Sequence, residues 1–453
     1  MVTATWQALE MLKARLATIA AVVVAMLLPA APALAQATEI ERIDLVPLDG
    51  AELTFDGRTY GGTLSIAWQR NGLSVVEAVS LDGYLAGIRE VPLSWPEETL
   101  KAQAVAARTY LAWTLTRGRS SDGQRYDFDI CATTQCQVYA GTGVVQGPDG
   151  GRWLDAIAAT SREILVYEGS PAQTLYSSSA GSRTRANQDI WGGDPKPYLQ
   201  PVDSPEASVT PYERWEITVD VEAMRRIFAR AGVAIGSDVR AVFVERPPEG
   251  AGTSQLVIES DTGRTAISAT SVRHRFNQYG PLLYPGLLPA TRPSGTRWPQ
   301  AFLSYTFDVE FDPGIAARRT PLLPTEDLPS SGTVTFTGEG WGHGIGMSQW
   351  GAKAFGDEGA SYGEILGHYY GGLGPVDGAA AVPDAVRVGL GWGRGEVAVA
   401  SNGEFELRAN GIPVGRFGAG SWRFRTAQSG VVLLGPPDAV PTTLFLSSRP
   451  WPR

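Results

Sequence analysis

Cysteine occurs twice and histidine three times in 453 residues, which excludes a multi-zinc scaffold and a small domain stapled by disulfides. Basic residues are outnumbered, 38 to 47, for a net charge of −9, so no cationic excess exists to neutralise phosphates and nucleic acid is not the expected partner. Three catalytic signatures are also missing. No G-x-S-x-G marks a serine hydrolase, no H-E-x-x-H marks a metallohydrolase, and the G-H-G-I-G run has no Walker spacing and no Lys-Ser/Thr after it. Long apolar runs are confined to the N-terminus, where Leu16 to Leu28 falls short of the roughly 20 residues needed to cross a bilayer.

What is present begins at that same end. Lys13 and Arg15 precede the apolar run, and Ala33-Leu34-Ala35 follows it, the three parts of a secretory signal with cleavage after Ala35. Export to the periplasm or cell wall is therefore expected, with an uncleaved anchor as the alternative. The 43% hydrophobic content can fill two or three domain cores, and 53 glycines with 31 prolines predict many turns rather than a helical bundle.

Strand patterns cover Thr63–Trp68 and Leu73–Val79, separated by Asn71-Gly72. Ser94 and Glu97 have capping-box spacing around Pro96, and Leu100, Ala104, Ala107, Leu111 and Leu115 then fall on one helical face up to Gly118. Further helices are predicted over Trp153–Arg162, from an Asp220 cap to Gly232, and after Ser361, which has its own Glu364 at capping-box spacing. Residues 235–345 read as strands between loops, with Pro281–Pro299 and Pro321–Ser331 as long loops. Short strands return after residue 380 (Val386–Leu390, Val397–Ala400, Phe405–Ala409, Val431–Leu434). The expected fold class is α+β, mixed and strand-rich with a few helices. The expected organisation is a signal peptide (1–35), a lead-in (36–57), a main domain (58–372) and a small C-terminal β module (380–453).

Three stretches could carry chemistry. Glu90 lies in the loop before the best helix, among apolar Ile88, Val91 and Trp95. Burial there would resist ionisation and suit a general acid, whereas the helix N-terminus and Arg89 would favour the anion. A solvated loop glutamate is the plainer reading of composition. Trp341-Gly342-His343-Gly344-Ile345-Gly346-Met347-Ser348-Gln349-Trp350-Gly351 alternates glycines with rings, which suits stacking on a sugar and equally a tight structural turn. Cys131 and Cys136 read as a disulfide closing a short loop; zinc, the alternative, wants about four ligands and no histidine lies nearby in sequence.

Together these stretches resemble the SpoIID/LytB family, the stage II sporulation protein D and amidase-enhancer group of bacterial cell-wall proteins. Its Y-L-x-G-V, E-M-P and W-P-x-E-A-L-K-A-Q-A-V-A-A-R-T-Y blocks correspond to Tyr84–Tyr110, with Val91 in place of methionine and a shorter spacer before Glu90. Its D-x-C-x-x-T-x-C-Q-x-Y segment matches Asp129–Tyr139, its G-W-G-H-G-x-G-M-S-Q-x-G-A block matches Gly340–Ala352, and E-I-L-x-H-Y-Y matches Glu364–Tyr370. The resemblance spans about residues 58–372 and implies an exported lytic transglycosylase. Such an enzyme cleaves glycan strands between N-acetylmuramic acid and N-acetylglucosamine, favouring peptide-stripped strands and leaving 1,6-anhydro ends.

It also implies that Glu90 is the catalytic acid and base, and that Arg108, Ser178, Ser179, Trp341, His343, Ser348 and Gln349 contact the strand. No cofactor is implied. Some members bind zinc at the cysteine segment through a histidine, and Gln135 stands at that position here, which favours the disulfide. The enhancer members imply the other function, a non-catalytic wall-binding protein that stimulates an N-acetylmuramoyl-L-alanine amidase and so has a cell-wall amidase as partner.

Overall fold

A computed structural model describes residues 40–289, 291, 295–314, 332–426 and 430–434. The signal-peptide pattern, the 321–331 loop and the last 19 residues lie outside the described residues. The protein is mixed α+β, as expected, and divides into two compact units.

One unit joins segments from the two sides of the sequence: among the described residues, 40–56, Thr63–Val75 and those from Gly391 to Leu434. Its strands are antiparallel. Arg42–Pro47 pairs on one edge with Thr63–Gln69 and on the other with Phe405–Ala409, which in turn pairs with Ile412–Phe417. Glu396–Ser401 lies between Leu53–Phe55 and Gly420–Thr426, and Val431–Leu434 extends that sheet. The two-residue side-chain period sets the core: Ile43 and Leu45, Leu64 and Ile66, Val397 and Val399, Phe405 and Leu407 are all buried. Asp44 points the other way, where Ser65 donates to it at 2.6 Å and Arg42 approaches within 3.0 Å.

The second unit, Gly57–Gly62 and Val76–Leu390, is organised around the helix Glu97–Thr116. The sequence suggests one buried face, but Ala102, Gln103, Val105, Ala106, Arg108 and Thr109 are buried as well, so the helix is enclosed nearly all round. Around it lie Leu165, Leu175, Tyr198, Met347, Ile365, Leu366, Tyr369 and Tyr370 in one continuous core. A second core joins two three-stranded antiparallel sheets to the helices Val221–Arg230 and Ala269–Leu283. It is dominated by Phe276, Phe302, Phe307 and Phe336, whose rings meet at 5.2–5.5 Å, mostly edge-on.

Several local expectations change. The Ser94–Glu97 capping box does not form. Ser94 lies in a turn closed by Trp95 N–H donating to Pro92 O at 3.2 Å, the helix is capped by Pro96 without a side-chain bond, and Glu97 instead pairs with Lys101 at 2.6 Å. The Ser361–Glu364 box does form, with both reciprocal bonds. The loop expected from Pro281 begins later, because the helix starting at Ala269 runs through Pro281 to Leu283. A helix at Gln349–Asp357 occupies the end of what reads as a glycine loop. No helix among the described residues is long and apolar enough to cross a membrane.

Candidate functional site

The helix Leu81–Ala86 ends at Gly87, where a β-carbon would stand 2.2 Å from the Tyr139 ring, so only glycine lets the chain pass. Beyond it the loop is stitched to the ribbon Val138–Ala140. Ala140 N–H donates to Gly87 O at 2.8 Å, Arg89 N–H to Val138 O at 2.8 Å, and Val138 N–H to Glu90 Oε1 at 2.6 Å. Glu90 is half-buried, and this is the single hydrogen bond its carboxyl makes among the described residues. Burial pushes its pKa up to about 7, and the Val138 bond pulls it back only in part. Of the influences the sequence leaves open, burial dominates, and near neutral pH both proton donor and acceptor forms are populated.

Two tyrosines stand within electrostatic reach of Glu90 and are bridged by a buried glutamine. Tyr84 donates to Gln137 Oε1 at 2.7 Å, and Gln137 Nε2 donates to the Tyr176 hydroxyl at 2.8 Å and to Ala107 O at 3.2 Å. Burial and the nearby Glu90 charge hold both phenols neutral, their pKa values well above the ordinary one. Since Tyr176 accepts from Gln137, its own O–H proton remains uncommitted among the described residues. Tyr139, stacked on Tyr84 at 5.3 Å, donates to the buried Glu77 at 2.7 Å, and Gly62 N–H donates to the same carboxyl at 2.9 Å. Burial also raises Glu77, to about 7.

Tyr176 connects this corner to the glycine block. Tyr176–Ser177 pairs in parallel with Met347–Ser348, and Trp350 N–H donates to Ser178 O at 3.0 Å. Gly346 is required twice over: its φ is +69°, and a β-carbon would lie 2.2 Å from Leu175 O. His343 Nδ1 accepts from Ile345 N–H at 3.0 Å, so the neutral ring carries its proton on Nε2, and the Tyr176 backbone beside the imidazole partly opposes its loss of charge. Burial, assisted by Arg273, lowers its pKa to about 4, so the imidazole is neutral. Trp191, 46% exposed, leans on that imidazole at 5.0 Å. Trp95, five residues past Glu90, packs on Trp350 at 4.9 Å and ties the two stretches together a second time.

The residues named from the resemblance separate into two groups. Ser178, Trp341 and His343 are half-buried, and Trp341 packs on Tyr212 at 5.0 Å. Arg108, Ser179, Ser348 and Gln349 are enclosed. The Arg108 guanidinium donates to Glu163 O at 3.1 Å, Ile157 O at 3.3 Å and Thr160 Oγ1 at 3.5 Å, and burial lowers its pKa to about 10. Gln349 donates to Gln103 at 3.2 Å. Ser179 and Ser348 both donate to Glu206, which also receives Ser204 and the Gly181 N–H, each at 2.9 Å. Glu206 is a residue that sequence reasoning passes over: it lies in an unpatterned Ser204-Pro205-Glu206 stretch, and two of the serines it gathers, Ser179 and Ser348, are 27 and 142 residues away.

Cys131 and Cys136 form a disulfide with Cα atoms 5.6 Å apart. Cys131 is anchored beside Gly389 of the strand Ala385–Arg394, and Cys136 directly precedes Gln137 and Val138. The bridge therefore secures the segment from which the Glu90 contacts hang. Among the described residues no group of three or more His, Cys, Asp or Glu side chains is placed to hold a metal ion.

A half-buried carboxyl with a neutral-range pKa, neighbouring phenols and an adjacent aromatic-glycine loop define a polar site equipped for acid–base chemistry. Residues 69–167 match the family model described as SpoIID, stage II sporulation protein. The chain is 27% identical over 330 residues to an uncharacterized protein of Brachyspira hyodysenteriae, covering 72% of this chain and 74% of that one. It is 26% identical over 320 residues to stage II sporulation protein D of Bacillus amyloliquefaciens, covering 68% and 78% respectively. It is 27% identical over 314 residues to the amidase enhancer of Bacillus subtilis, covering 62% of this chain and 38% of that protein. The resemblance to the sporulation-protein and amidase-enhancer group is thus found by alignment over most of the chain as well as by motif.

Proposed function

We propose that this protein works on the bacterial cell wall as an exported lytic transglycosylase, with Glu90 as its single acid–base group. The observation that carries the reading is the Glu90 carboxyl, raised to about 7 by burial and held by one backbone N–H. One carboxyl suffices when no water or covalent intermediate has to be managed. Protonated Glu90 gives its proton to the oxygen between the two sugars. The C6 hydroxyl of the same muramic acid attacks its anomeric carbon, closing the 1,6-anhydro ring, and the carboxylate accepts the hydroxyl proton. No cofactor enters these steps.

Tyr176 is suited to steady the reacting sugar through its free O–H, and His343 acts behind it as a positioning residue through the Tyr176 backbone. Trp191 and Ser178 are the strand contacts in this reading. Arg108, Ser179, Ser348 and Gln349, being enclosed, serve by holding the loops that make them. Export rests on the charged, apolar and small-residue order of residues 13–35.

The name of the amidase-enhancer relative favours a second reading, in which the protein binds the wall and stimulates an amidase without cutting. Incubating peptide-stripped strands with native protein and with Glu90→Gln, then measuring anhydro-muramyl ends by mass spectrometry, tests both. The enzyme reading expects those ends from the native protein and a loss of roughly a hundredfold or more in the variant. No anhydro ends, together with amidase stimulation that survives Glu90→Gln, would establish the enhancer reading instead.

A further inference from the structure

A cleft of about 660 Å³ borders the Glu90 loop, within the ~300–1,000 Å³ range of small-ligand pockets. Its lining includes Arg58 and Arg89 and contains no aspartate or glutamate, in a chain whose net charge is −9. Arg89 is exposed, and its guanidinium makes no hydrogen bond or ion pair among the described residues. Arg58 is steered by one contact, Nη1 donating to Tyr139 O at 3.0 Å, which leaves most of its donor fork unused. Val91, Pro92 and Leu93 supply an apolar wall.

The ribbon that holds Glu90 also holds the Arg89 backbone and the Arg58 side chain. Val138 holds the Glu90 carboxyl through its N–H and the Arg89 backbone through its carbonyl, while the next carbonyl, that of Tyr139, holds the Arg58 side chain. Arg89 directly precedes Glu90 and Val91 directly follows it, so the cleft lies beside the short stretch of chain that carries the acid.

We infer that Arg58 and Arg89 bind a carboxylate borne by the muramic acid unit of the strand, and that this subsite sets which units reach Glu90; the inference rests on the glycan-strand reading above. The sugars of the strand are otherwise neutral. Muramic acid alone carries a lactyl group, whose carboxylate is free where the stem peptide has been removed. Where the peptide remains, that carboxyl is an amide and the available carboxylates belong to the peptide. Two guanidinium forks beside an apolar wall match a lactyl carboxylate and its methyl group.

Three strands of equal length serve as probes in equilibrium binding: peptide-stripped with free lactyl carboxylates, the same strands with those carboxylates converted to methylamides, and strands retaining stem peptides. The native protein is expected to bind the free-acid strand roughly tenfold or more tighter than the methylamide. In Arg89→Gln and in Arg58→Gln/Arg89→Gln that ratio should fall toward one. The ratio is read within each protein, so a general loss of affinity or of fold cancels. A greater loss on peptide-bearing strands would assign the site to a stem-peptide carboxylate rather than the lactyl group. A native ratio near one, or a ratio unchanged in the double variant, would overturn the inference while leaving the glycan reading standing. Failure of the native protein to bind any of the three strands would remove both.

Discussion

Glu90 and Glu206 are both removed from water, and the difference between them lies in what surrounds the carboxyl. Glu206 is fully enclosed and receives four donors, from Ser179, Ser204, Ser348 and the Gly181 N–H. Glu90 is half-buried and receives one. Burial raises both pKa values, but the donors around Glu206 oppose that rise from every side, whereas only one opposes it at Glu90. A saturated carboxyl holds its neighbours in place, and an unsaturated one keeps lone pairs and a proton for a ligand.

This contrast can be broken most forcefully by removing the saturated member. Glu206→Ala leaves three hydroxyls and an N–H without an acceptor and is expected to destabilise the protein by about 3–5 kcal/mol, measured by denaturant unfolding. An unchanged midpoint would mean the serines find other partners and the knot is incidental.

Glu90→Gln should move stability the opposite way, in a definite pH window. Because the folded pKa of about 7 lies above the ordinary 4.5, the folded state holds this proton more tightly than the unfolded chain, and native stability falls as pH rises between those values. The variant escapes that loss. At pH 8 it should be more stable than the native protein by up to about 3 kcal/mol, and below pH ~4.5 the gain should vanish. A variant less stable at pH 8 would place Glu90 with Glu206 as a structural group. Native activity should accordingly decline above about pH 7, as the donor form of Glu90 is lost.

The mildest probe is Trp191→Ala, which removes a ring 46% exposed beside His343. Glycan affinity should drop roughly five- to tenfold, about 1 kcal/mol, with little change in melting temperature. Undiminished affinity would take the strand away from that face.

Local pattern made much of this legible. Apolar spacing located the enclosed helix Glu97–Thr116, and Ser361 with Glu364 marked a helix start correctly because their reciprocal bonds involve only neighbours. Ser94 and Glu97 have the same spacing, yet the turn from Pro92 to Trp95 claims the backbone first. Gly280-Pro281 disguised the last turn of the helix Ala269–Leu283, and the glycines of the 340–351 block disguised the start of the helix Gln349–Asp357. Glu90 was identifiable through its block and its apolar neighbours, but its raised pKa comes from burial in the folded chain, and its one hydrogen-bond donor, Val138, lies 48 residues later. The Glu206 knot and the Gln137 bridge are likewise contacts between distant segments, which periodicity does not encode.

The pairing of Ile43 with Ala409 joins residues whose separation in the chain is most of its length. Until the last strands leave the ribosome, Arg42–Pro47 lacks the partner for one of its two edges and Leu53–Phe55 lacks Glu396–Ser401. During synthesis these segments are open edges, with the slow closure and aggregation exposure that long-range strand pairing brings. A premature stop near residue 390 would thus strand the first sheets to be made, although every residue of those early strands would be present.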